Sequence, residues 1–137
     1  MNIAAHHSML GKRKPFRPLT WVDGEYYGQN GTVGYSTKVS RFEEFVPVVG
    51  GHSITWKWGD SVIGVCYLLV YNANKERVDY WSPNNSAGER TININASAAF
   101  VRYSVGQAFK GTTFFRDNTT GLYLVQDGKI AIGGGIS

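Results

Sequence analysis

Between Ile63 and Tyr80 the chain reads IGVCYLLVYNANKERVDY, and its side chains alternate. In an extended segment Val65, Tyr67, Leu69 and Tyr71 fall on one side and Cys66, Leu68 and Val70 on the other, so both faces are apolar or amphipathic. A strand of that composition is covered on both sides and belongs in the middle of the protein. Asn72-Ala73-Asn74-Lys75 then has the chemistry of a tight reversal, because Asn tolerates left-handed backbone angles and bonds its own main chain. Val78, Tyr80 and Trp81 resume the extended pattern until the polar run Ser82-Pro83-Asn84-Asn85-Ser86. The whole is a predicted β-hairpin.

The same period of two recurs along the chain. Trp21 to Tyr27 is a short aromatic segment interrupted by Gly24, and Gly31-Thr32-Val33-Gly34 is a turn. From Tyr35 to Val49, Phe42, Val46 and Val48 share a side, with Glu44 as an exception and Pro47 marking a strand end or edge. Ile54, Trp56 and Trp58 share a face opposite Thr55 and Lys57. Arg90 to Asn95 turns Ile92 and Ile94 inward, and Phe100 to Val105 sets Val101, Tyr103 and Val105 against Phe100, Arg102 and Ser104. Thr112 to Arg116 and Leu122 to Gln126 are further strands, and Asp127-Gly128 is a hairpin dipeptide before Lys129 to Ile132. The most helix the pattern allows is one turn around Ser97 to Phe100. About eight to ten short strands at regular spacing predict an all-β protein, an antiparallel two-sheet sandwich or barrel.

Residues 1–20 behave differently. They show no periodicity, Pro15 and Pro18 forbid a continuous helix, and the stretch reads as an extended arm preceding a β domain over residues 21–137. Lys12, Arg13, Lys14 and Arg17 concentrate four of the fourteen basic residues there, and the remainder equal the ten acidic ones in number. The net charge of +4 therefore belongs to the arm. It suits docking on a partner surface, while the neutral body lacks the bias that nucleic acid demands. With a single cysteine no disulfide forms within the chain. No run approaches a membrane span, and Met1 to Leu10 lacks the charged start and apolar middle of a signal peptide, so synthesis in a cytoplasm is expected.

Candidate chemistry is sparse. His6-His7 have no Cys or carboxylate beside them, so no metal site is expected, and no cofactor motif occurs. His52, the one histidine of the body, reads as a surface or rim residue beside a Gly-Gly turn, and Cys66, amid apolar neighbours, as an inert core thiol. Arg102 clamps an anion or, as the simpler expectation, pairs with Asp79 or Glu89 to fix strand register. No enzyme is expected. Flat rings with amides and hydroxyls suit glycans, and Trp81 with Tyr80, Asn84 and Asn85 is the densest such cluster, with Trp56 or Trp58 as core or as a further stacking platform. The same aromatics equally suit a neighbouring subunit.

The order Phe42-x-x-Phe45-Val46-Pro47-Val48-x-Gly50-Gly51-x-x-Ile54, then Gly64-Val65-x-Tyr67-x-x-Val70-Tyr71-Asn72-Ala73-Asn74-Lys75, Ile92-x-Ile94 and Ala98-Ala99-Phe100-Val101-Arg102-Tyr103 resembles jelly-roll modules of bacteriophage structural proteins. It covers roughly residues 35–105. Such modules occur in head fibres, decoration proteins, tail tips and baseplates, and similar folds occur in carbohydrate-binding modules. The resemblance implies a virion structural subunit, a trimer or other homo-oligomer, held to other virion proteins by the arm and displaying a sandwich to host-surface glycans. The alternative it implies is a free carbohydrate-binding module.

Overall fold

The computed structural model describes residues 15–59, 65–83 and 88–132. In chain order the strands are β1 (Phe16–Pro18), β2 (Trp21–Tyr27), β3 (Val33–Phe42), β4 (Val46–Pro47), β5 (Ser53–Lys57) and β6 (Leu68–Tyr71), followed by β7 (Arg77–Trp81), β8 (Glu89–Asn93), β9 (Phe100–Gly106), β10 (Phe114–Asp117), β11 (Leu122–Gln126) and β12 (Lys129–Ala131). They form two antiparallel sheets, one in the order β1-β12-β11-β10-β5-β8 and the other β2-β3-β9-β6-β7 with β4 also on β9. Ile54, Trp56 and Phe115 from the first sheet and Phe42, Leu68, Val70, Val101 and Tyr103 from the second are buried in one core, so the architecture is a β-sandwich.

The hairpin read from the sequence is present. β6 pairs β7 from Leu68↔Trp81 to Tyr71↔Arg77, and its other edge pairs β9. Cys66, Leu68 and Val70 enter the main core, whereas Leu69 and Tyr71 join a separate buried cluster on the opposite face. The alternation therefore reports two coverings of one strand. At Asp127-Gly128 both residues have positive φ, 52° and 75°, the geometry of a two-residue turn whose twist matches its strands. Gly24, at φ 84°, lies where the β2–β3 register shifts between Asp23 and Glu25, which accounts for the interrupted pattern there.

Three expectations are corrected. The short helical turn is not at Ser97–Phe100, where Asn95 accepts from the Ser97 and Ala98 N–H groups in a tight turn; a 3₁₀ turn lies instead at Gln107–Phe109. Second, Glu44 is exceptional because the strand is broken. β3 pairs β9 at Val39–Arg41 and β4 pairs the same strand at Val46–Pro47, leaving residues 43–45 between them free to turn Phe45 away from the core.

Third, the extended arm does not run to Thr20. Phe16–Pro18 pairs β12 in the register Phe16↔Ala131 and Pro18↔Lys129, and Leu19 is buried in the core. Pro18 is tolerated because β1 is an edge strand, where a missing N–H costs no ladder bond. Thr20 is fixed through Glu44, whose carboxylate accepts from the Thr20 N–H at 2.8 and 3.0 Å and from its hydroxyl at 2.7 Å. The folded body thus includes Pro15–Thr20, and Lys12, Arg13 and Lys14 lie outside the described residues.

Candidate functional site

The far face of the second sheet carries its own aromatic cluster. Tyr27, Leu69 and Tyr71 are buried there, with Phe45, Tyr67 and Phe100 packed on them. Arg102 projects into this cluster, its guanidinium carbon 4.0 Å from the Phe45 ring centre, 4.5 Å from Tyr27 and 5.0 Å from Tyr71. Two of its nitrogens donate to the Tyr71 hydroxyl at 3.1 and 3.3 Å. The expected partners Asp79 and Glu89 are not used, and among the described residues no carboxylate pairs with Arg102. Register explains Asp79: it lies opposite Val70, whose other partner is Val101, in the inward row, while Arg102 lies opposite Leu69 in the outward one. Glu89 is in the other sheet. The charge of Arg102 is answered by ring faces instead.

Beside this cluster an open groove of about 400 Å³ runs where β1 and β12 of one sheet approach β4, the start of β9 and the β6–β7 turn of the other. Phe45, Phe100, Pro47 and Ile130 give it apolar walls, and Arg17, Lys75 and Glu44 its charged groups. Lys75 is held in the left-handed region at φ 61° by a turn in which the Asn72 side chain accepts from the Asn74 and Glu76 N–H groups, and Lys75 N–H donates to the Asn72 carbonyl. Its ammonium lies 4.8 Å from the Phe45 ring centre and 5.7 Å from that of Phe100. Burial pushes the Glu44 carboxyl up, but the Thr20 hydroxyl and N–H bonds and nearby Arg17 outweigh it and hold the group below its ordinary value, as a carboxylate. A second hollow of about 150 Å³ between Val48–Val49 and Leu122–Leu124 is smaller than ligand pockets, which begin at roughly 300 Å³.

Among the described residues, those expected to bind glycans do not come together. Trp56 and Trp58 are 0% exposed, 4.9 Å apart in the core, so neither offers a stacking face. Trp81 and Tyr80 are split by the strand pleat: Trp81 packs on the main core with Arg90 over its ring, while Tyr80, 40% exposed, meets Tyr67 edge-on on the other face. Asn84 and Asn85 lie outside the described residues, as do His6 and His7. Arg17, expected as an anchoring cation, bonds Glu44 at 3.4 Å from its place in β1.

His52 and Asp117 are joined, Nδ1 to Oδ2 at 2.7 Å, and the other Asp117 oxygen accepts from the Thr119 and Thr120 N–H groups. This ties the start of β5 to the turn after β10. Burial raises the Asp117 carboxyl, and the bonds from His52 and Thr120 overcome it, leaving the group below its ordinary value of 3.8. A depressed carboxyl stabilises the fold above that value and loses its effect as pH falls through the folded-state value. Asp117→Asn is therefore expected to cost about 1–3 kcal/mol at pH 7, with the difference from wild type shrinking under acid, as read by urea unfolding at pH 7 and pH 3. Burial pushes the Cys66 thiol up to about 12, which keeps it protonated. Among the described residues no three metal-ligating side chains converge.

No family model, characterised protein or solved structure matches the chain. The groove is a candidate site that sequence reasoning missed. Its walls come from Phe45 and Phe100, far apart in the chain, and from a turn lysine whose backbone angle is invisible to hydropathy. One signal did exist: the outward row Tyr67, Leu69 and Tyr71 is too apolar to face water, so something had to cover it.

Proposed function

We propose that this chain is a non-catalytic structural subunit of a bacteriophage virion, a decoration, head-fibre or tail component. Residues 1–14 anchor it to other virion proteins, and the sandwich is displayed, as a homo-oligomer, toward host-surface glycans. The groove is the observation that carries the reading: an open, aromatic-walled hollow of about 400 Å³ has the size and chemistry for a sugar ring. A jelly-roll ancestry accords with a chain that crosses repeatedly between sheets, so that β5 lies between β8 and β10, and β9 between β3 and β6. Lys12, Arg13 and Lys14 directly precede edge strand β1, which suits a tether leaving the sandwich at one side.

The experiment is a variant beginning at Pro15. It is expected to keep the wild-type melting temperature and to lose incorporation into the particle. Incorporation at the wild-type level overturns the anchoring role. The same groove also favours a free carbohydrate-binding module, for which the variant would bind glycans as the full chain does and no particle would contain it.

A further inference from the structure

We infer that the groove selects an acidic glycan, a pyranose bearing a carboxylate, with Lys75 receiving the carboxylate and Phe100 and Pro47 packing against its apolar face. This rests on the glycan reading above and adds the class of sugar. Lys75 is the central observation. A side chain at φ 61° is strained where Gly or Asn would sit more easily, and such strain persists where the surroundings impose it. Here the Asn72 turn imposes it and aims the ammonium over two rings that form the groove wall. Among the described residues Lys75 has no carboxylate partner.

The surrounding charges favour an anion. Arg17 stands at the groove with a side chain 53% exposed, 3.4 Å from Glu44, and Arg102 lies behind Phe45 with no carboxylate of its own. Against these three cations stands Glu44, whose oxygens are engaged by Thr20 and Arg17. The site thus carries two positive charges in excess beside apolar rings, which is the complement of a uronic or sialic acid. A phosphate answers the charge but leaves the rings unused.

The test is an array of paired carboxylated and neutral pyranosides, including glucuronic, galacturonic and sialic acids, probed with the full chain, Lys75→Gly and Lys75→Arg. The wild type is expected to bind acidic members at least about tenfold more tightly than their neutral partners. Lys75→Gly should lose that preference at an undiminished melting temperature, since Gly relieves the left-handed strain. Lys75→Arg should keep it. Equal binding of acidic and neutral sugars refutes the acidic selection and leaves the glycan reading standing; no binding to any sugar refutes both. Competition by inorganic phosphate as strong as by the free sugar acid, binding of an acidic peptide in place of every sugar, or binding only after residues 133–137 are removed each overturn the proposal. In those cases the groove is respectively a general anion site, a protein interface, or a seat for the chain's own tail.

Discussion

Trp56→Ala is expected to destabilise the protein by about 3–5 kcal/mol, the largest effect of any single substitution considered. Trp56 is fully buried on β5, pairs across the sheet with Arg90 and Phe115, and packs against Trp58 between the two sheets. Removing the indole leaves a cavity that flanking strands, hydrogen-bonded on both sides, cannot close by moving. Trp56→Phe separates packing from polarity. The Trp56 indole N–H is buried without a hydrogen-bond partner among the described residues, so deleting it removes a desolvated donor and offsets part of the lost volume. That variant should stay within about 1.5 kcal/mol of wild type. Urea unfolding of both reads the difference. Near-wild-type stability of Trp56→Ala would place the residue at an exposed platform.

The second large effect concerns where the fold begins. A variant starting at Trp21 lacks β1, the buried Leu19 and the Thr20–Glu44 bonds, and is expected to lose roughly 3 kcal/mol or more. It also uncovers the edge of β12. A variant starting at Pro15 keeps all of these. Thermal unfolding of the two should therefore differ sharply, and only the second separates the proposed anchoring role of the basic segment from folding itself. Equal melting temperatures would mean that β1 contributes nothing to the sandwich.

Much of the fold was legible in the sequence because strand side chains alternate without regard to distant neighbours. Ile54, Trp56 and Trp58 enter the core as their spacing predicts, and the Asn72 and Asp127 turns lie where their dipeptides put them. The failures have a common cause. β1 is three residues long and contains Pro18, so its period is too short to register, yet its partner β12 supplies the pairing. The break at residues 43–45 goes with Glu44 bonding Thr20, a contact between remote segments. The aromatic cluster around Trp81 came apart for a related reason. Trp81 and Tyr80 are adjacent in sequence, which makes them a cluster on paper and puts them on opposite faces of a strand. The neutral charge of the body likewise concealed a local excess, because Arg102 and Lys75 meet beside Phe45 only after β9 and the Asn72 turn are brought together.

On the function proposed, the sandwich works by contact, tethered at one end and open to ligand at the groove. Electron cryo-microscopy of the protein in its native particle tests it most directly. Residues 1–14 are expected to lie against neighbouring protein chains, with Lys75 and Phe100 facing outward. Residues 1–14 touching no other chain, or the groove sealed beneath a neighbouring subunit, would contradict it.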